Sequence, residues 1–178
     1  TSTGALIALL LGKGLGLQEI RALYHDTSRD IFDDSWLDDV KDVGTLLGAQ
    51  YHSDGLKRHL QRMLGKARLR DLKKRVLITA FDLDNEHPRP EKRRWKPKLF
   101  HNFPGADSDG AVLAWKVGLY TSAAPTYFPT VDGYVDGGVF ANNPSMCALA
   151  QTQDARIGRT AALDDVALFS LGSGSSLI

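Results

Sequence analysis

Val76-Leu77-Ile78-Thr79-Ala80-Phe81 is a six-residue apolar, β-branched run between Lys73-Lys74-Arg75 and the acidic pair Asp82 and Asp84. A short, charge-bounded run of this kind reads as a strand buried on both faces. Leu99-Phe100-His101-Asn102-Phe103 is expected beside it, and Val166 to Leu171 reads as a further buried strand. Helical spacing fills the intervals. Ala5 to Leu11 is apolar all round and ends at Gly12 and Gly14, a buried helix with a glycine stop. Leu17 to Phe32 brings Ile20, Leu23, Tyr24 and Thr27 towards one face, and Ser53 to Leu64 reads as a helix capped by Ser53 or Asp54. Ser108 to Tyr120 returns to helical spacing through Ala111, Val112, Trp115 and Leu119, and Val131-Asp132-Gly133-Tyr134 is an Asp-Gly hairpin turn. Strands alternating with helices predict an α/β fold, with a mostly parallel central sheet flanked by helices.

Size and composition fit that fold. The 178 residues hold 43% hydrophobic and 24% charged side chains, with no internal repeat and no interdomain linker, so residues 1–178 are read as one domain. The longest strictly apolar run has seven residues, Ala5 to Leu11, whereas a membrane-spanning helix needs about 20. A soluble protein, cytoplasmic or peripheral to a membrane, is expected. Lys and Arg number 22 against 21 Asp and Glu, so no global field recruits nucleic acid. The single cysteine, Cys147, excludes an internal disulfide framework and any multi-cysteine zinc site.

A serine nucleophile in an α/β fold sits on a sharp strand-to-helix turn that exposes its hydroxyl, with small residues letting the backbone bend. Ser-x-Gly is found at Ser2, and again at Ser53 and Ser108. The latter two are Ser-Asp-Gly, which is turn and capping chemistry, while Ser2 directly precedes a buried helix whose N-terminus favours a developing oxyanion. The residues alone leave Ser2 either a nucleophile or a helix N-cap. The five histidines end at His101, so a late acid would have no imidazole after it in the chain. That late acid is Asp136, in the one Asp-Gly-Gly among four Asp-Gly pairs. The two glycines leave its carboxylate unobstructed and allow close approach by another backbone. Asp136 is thus either a turn aspartate or a carboxylate general base, for which partial desolvation and a hydrogen bond to serine suffice.

Four stretches in order resemble the successive motifs of the patatin-like phospholipases: Thr1-Ser2-Thr3-Gly4 before the helix, Thr121-Ser122-Ala123-Ala124-Pro125-Thr126-Tyr127-Phe128-Pro129, Val135-Asp136-Gly137-Gly138-Val139-Phe140-Ala141-Asn142-Asn143-Pro144, and Leu171-Gly172-Ser173-Gly174. The resemblance implies a lipid acyl hydrolase (a phospholipase A or esterase) with Ser2 as nucleophile and Asp136 as general base, working without histidine, metal or cofactor. By analogy with other serine hydrolases, the amide of Thr3 is expected to contribute one oxyanion donor. The family's strand and glycine-rich oxyanion loop would fall upstream of Thr1, which makes these residues an N-terminally incomplete patatin-like domain. Each missing oxyanion donor costs about 10²- to 10³-fold in rate, so the 178 residues alone are expected to be nearly inactive. Asn142, Asn143 and Pro144 are given structural roles, fixing the acid's loop and capping the next helix.

Rival readings use other residues. Asp82 and Asp84 form an Asp-x-Asp after a strand, the pattern of a Mg-dependent phosphatase, but Glu86 stands where threonine or valine is expected. A triad of Ser2, Asp82 or Asp84, and His101 has the right order and a short spacing. A catalytically inactive lipid-binding module is the third reading. Two basic runs, Lys66 to Arg75 and Arg89 to Lys98, frame the surface. Arg93, Arg94 and Lys96 around Trp95 suit an anionic membrane surface; the alternative is a solvated loop balanced by the aspartates between Asp26 and Asp42. No nucleic-acid recognition motif accompanies these charges.

Overall fold

A computed structural model of the chain describes residues 1–32, 46–125, 128–158 and 160–172, with side chains outside positions 26–53. The acidic stretch from Asp33 to Asp42 and the motif residues Thr126, Tyr127, Ser173 and Gly174 lie outside the described residues.

Helix α1 (Thr3–Lys13) carries the apolar run and stops at Gly14. Gly14 sits at φ 102°, where its amide donates to Leu10 and Leu11 while the Leu15 amide returns to Leu10. That left-handed cap is the position for which glycine is needed. Helix α2 spans Leu17–Phe32 as expected. Helix α3 runs Leu46–Leu64, so it starts well before Ser53. Positions 53 and 54 are therefore interior to the helix and are not its cap. From Leu56 onward the helix buries a stripe of Leu56, Leu60 and Leu64, four residues apart on one face. Helix α4 is Ala114–Ser122, shorter than the Ser108–Tyr120 expected. Residues 109–113 are drawn off by other partners: Leu113 bridges Arg68, Val112 accepts from the Leu69 amide, and Asp109 binds Lys98 and the His101 amide.

Strand β1 (Leu77–Asp82) is the predicted run and lies at the centre of the order β2–β1–β3, with β2 at Lys96–His101 and β3 at Tyr134–Asp136. Ile78, Thr79 and Ala80 are all buried, so the strand is covered on both faces. The expectation of a mostly parallel sheet does not hold for these strands, since both pairings are antiparallel. The physical reason is the connection. A parallel neighbour requires a crossover, usually a helix, whereas β1 and β2 are joined by residues 83–95, which contain only a 3-10 turn at Pro90–Lys92 and return the chain beside itself. Val166 to Leu171 is likewise not a strand. It has no strand partner among the described residues, and Phe169 and Leu171 are 82% and 81% exposed. Apolar composition without a hydrogen-bonding neighbour does not make a strand.

Ile78, Ala80 and Phe100 of the sheet pack on Leu9 and Leu10 of α1, Leu60 and Leu64 of α3, and Val117 and Tyr120 of α4 in one core. The Asp-Gly turn is present: Asp132 (φ 48°) and Gly133 (φ 80°) close Val131 onto Tyr134 through reciprocal backbone bonds of 2.9 and 3.1 Å. It feeds directly into β3. Helices α5 (Gly138–Ala141) and α6 (Ser145–Thr152) follow, and no helix among the described residues is long and apolar enough to cross a membrane.

Candidate active site

Ser2 occupies the turn into α1 at φ 46°, ψ −119°. A non-glycine residue there is strained by about 1–3 kcal/mol and persists only where its surroundings fix it. Three bonds do so. The Ser2 carbonyl accepts from the amides of Ala5 (2.9 Å) and Leu6 (3.0 Å), and its own amide donates to the hydroxyl of Thr121 (3.1 Å). Ser2 stands at the N-cap position, yet its side chain makes no capping hydrogen bond. The hydroxyl is thus not used as a cap. Thr3 is the first residue of α1, so its amide has no acceptor inside the helix and stands at the positive end of the helix dipole.

Asp136 ends β3, in register with Ala80 of β1, and is 7% exposed. Its Oδ1 accepts from the Gly138 amide at 2.7 Å. Burial pushes its pKa up, against the opposing pull of that amide. The Gly-Gly pair has a steric basis. A Cβ at Gly137 would fall 2.5 Å from the carbonyl carbon and oxygen of Thr79 and would also strike its hydroxyl, so the acid's loop lies directly on the central strand. Beyond α5, Asn143 Oδ1 accepts from the amide (3.0 Å) and hydroxyl (2.6 Å) of Ser145 at the head of α6.

The two ends of the chain's chemistry meet here. The Thr1 hydroxyl lies 3.4 Å from the backbone and side-chain oxygens of Asn142, in the loop that follows Asp136. The end of α4 touches both segments: Thr121 holds the Ser2 amide, and the Ala123 carbonyl accepts the Asp136 amide at 2.9 Å.

The rival residues are placed elsewhere or engaged otherwise. The Asp84 carboxylate is held by the guanidinium of Arg93, with Nε at 2.9 Å, and that bond keeps its pKa below the ordinary value. Asp82 Oδ1 caps the Asp84 amide at 3.2 Å. Among the described residues, no group of three or more His, Cys, Asp and Glu is placed to hold a metal ion. His101 is on β2 in register with Leu77, so the full width of β1 separates it from Asp136 on β3.

The sequence alone assigns Thr121 no role, and it marks Trp95 without its aromatic partners Phe81 and Phe140. The signal at Thr121 is a hydroxyl at the end of the apolar helix α4, where it is 0% exposed. Trp95 stacks on Phe81 (5.7 Å, 29°), which meets Phe140 of α5 at 6.2 Å, and Trp95 is 70% exposed. This ledge begins four residues after Asp136, and among the described residues Arg94 and Lys96 beside it form no ion pair.

Comparison with known sequences shows the family that the motifs resemble. The chain is 31% identical to the cGAMP-activated phospholipase of Escherichia coli (strain TW11681), over 97% of this chain and 49% of that protein. It is 33% identical to Protein teg of Priestia megaterium, over 97% of the chain and 51% of the relative, and 30% identical to Patatin-like protein 1 of Oryza sativa subsp. indica, over 85% and 40%. The chain thus spans about half the length, or less, of these relatives. The sequence profile described as patatin-like phospholipase matches residues 1–149, and the chain belongs to that family.

Proposed function

We propose that the protein is a lipid acyl hydrolase that cleaves fatty-acyl esters through a Ser2–Asp136 dyad. The observation that carries this reading is the strained turn at Ser2, whose hydroxyl is left out of the capping bonds that would otherwise explain a serine there. Asp136 supports it as a carboxylate whose burial raises its proton affinity towards that of a useful base.

In the first half-reaction Asp136 takes the proton of Ser2 Oγ as that oxygen bonds to the ester carbonyl carbon. The carbonyl oxygen becomes an oxyanion at the head of α1, where the Thr3 amide donates to it. Collapse breaks the ester C–O bond, the departing alcohol oxygen takes the proton from Asp136, and the acyl group stays on Ser2. In the second half-reaction Asp136 removes a proton from water, the hydroxide adds to the acyl carbon, and Ser2 Oγ leaves with that proton as the fatty acid is released. The substrate is a lipid or phospholipid, met at a membrane surface through Arg93, Arg94, Trp95 and Lys96. Arg93 contributes less to that contact because Asp84 neutralises it.

Hydrolysis of a p-nitrophenyl acyl ester by the full-length protein tests the dyad. Ser2→Ala and Asp136→Ala, each with unchanged circular dichroism, are expected to lower kcat by about 10³-fold or more, as removal of a nucleophile or its base does elsewhere. Undiminished turnover by a folded Ser2→Ala variant would overturn the assignment.

A further inference from the structure

We infer that Thr121 is a positioning residue that holds Ser2 in its reactive backbone conformation and ties it to the acid; the inference rests on the dyad reading above. Ser2 cannot relax towards ordinary helical or extended dihedrals without moving its amide, and that amide is anchored. Its acceptor is the Thr121 hydroxyl oxygen at 3.1 Å, on a side chain with no exposure to solvent. With Thr121 fully buried and Ser2 half-buried, loss of the hydroxyl would leave the Ser2 amide facing a buried methyl group in place of its acceptor. The first turn of α1 offers no replacement, because helix amides at that end have no internal acceptors.

The location on α4 gives the bond a second consequence. Two residues along the same backbone, the Ala123 carbonyl accepts the amide of Asp136 at 2.9 Å. The segment Thr121–Ala123 is buried throughout and closes the last turn of α4, with the Ala123 amide bonded back to Tyr120. The nucleophile and its base are therefore referenced to one three-residue rigid segment, through one side-chain bond and one backbone bond. The backbone bond survives any substitution. The side-chain bond depends on a hydroxyl at 121, which makes Thr121 the replaceable link in the spacing between Ser2 and Asp136.

Thr121→Val keeps the shape and removes the acceptor, while Thr121→Ser keeps the acceptor and removes a methyl group. Each is made in the full-length protein and assayed for p-nitrophenyl ester hydrolysis and for the rate of Ser2 labelling by a fluorophosphonate. The expected result for folded Thr121→Val is a loss of up to about 10²-fold in both kcat and labelling rate, the size that a misplacement of about 1 Å produces, with KM little changed. Thr121→Ser is expected to restore both. A packing role alone would lower the melting temperature and leave the labelling rate per folded molecule at the wild-type value, and that result would overturn the inference. Should the valine variant not fold, the serine variant decides: folded Thr121→Ser with kcat reduced as far as 10²-fold would equally overturn it. Absence of fluorophosphonate on Ser2 in the wild-type enzyme would defeat the dyad reading and this inference with it, whereas normal wild-type labelling with an indifferent Thr121→Val defeats only the positioning role.

Discussion

At the scale of single residues, the site turns on one buried carboxyl. Burial raises the pKa of Asp136, so the folded protein binds that proton more tightly than the unfolded chain, whose aspartates titrate near about 3.9. The sign follows from linkage. Stability from this group is greatest below the unfolded value, falls as pH rises through the raised folded value, and is level above it. The ionised carboxylate is therefore a cost to the fold at neutral pH. Asp136→Asn keeps an acceptor for the Gly138 amide and removes the charge, and it is expected to melt at a higher temperature than wild type at neutral pH while losing turnover. In the wild type, kcat/KM is expected to decline on the acid side with a midpoint above that of an ordinary aspartate. Calorimetry of the variant and a pH–rate profile of the wild type check the two halves; a variant that melts lower, or an acid limb at the ordinary carboxylate value, would contradict the assignment of cause.

Elements are held to one another by side chains as much as by their own hydrogen bonds, and Asn102 shows how. It is buried just past β2, its Oδ1 accepts the Val76 amide at 2.8 Å, and its Nδ2 donates to the carbonyls of Leu69 (2.9 Å) and Lys74 (3.0 Å). One amide group thereby ties the entry to β1, the end of β2 and the 3-10 turn at Leu69–Asp71. Asn102→Ala removes these bonds, leaving the Leu69 carbonyl only the Leu72 amide, and about 1–3 kcal/mol is expected to be lost, read as a lower urea midpoint. A change within a few tenths of a kcal/mol would mean the three groups find other acceptors and donors. From the sequence Asn102 reads only as part of a strand, because its role depends on residues some thirty positions earlier. The same limit explains other differences. The ends of α1 and the start of β1 were legible since glycine caps and apolar runs act locally. The start of α3 and the start of α4 were not, because the first extends through residues without a cap signal and the second is set by Arg68 and Leu69 competing for residues 112–113.

On the scale of the whole molecule, sequence pattern correctly indicated strands among helices and missed their direction, which is fixed by how the connections return in space. The motif residues fared differently: Ser2 and Asp136 lie 134 positions apart in the sequence, yet the segments bearing them converge on the end of α4. Charge is also distributed in a way that totals conceal. The net charge is only +1, and two cations of the second basic run are already paired, Arg93 with Asp84 and Lys98 with Asp109. What distinguishes the face near Asp136 is the conjunction of the exposed Trp95, stacked on Phe81 and reaching Phe140, with Arg94 and Lys96. An indole at this exposure suits the boundary between water and acyl chains, and nearby cations add attraction to anionic headgroups that salt screens. Co-sedimentation with vesicles is therefore expected to favour anionic over neutral phospholipid and to weaken as ionic strength rises. With each such cation contributing about 1 kcal/mol, replacing Arg94 and Lys96 together by Gln should weaken partitioning by about 30-fold. Trp95→Ala should weaken binding to both kinds of vesicle, since its contribution is apolar. Equal binding to neutral and anionic vesicles, unmoved by salt, would assign the charges to solvation alone and leave the aromatic ledge as the only contact with lipid.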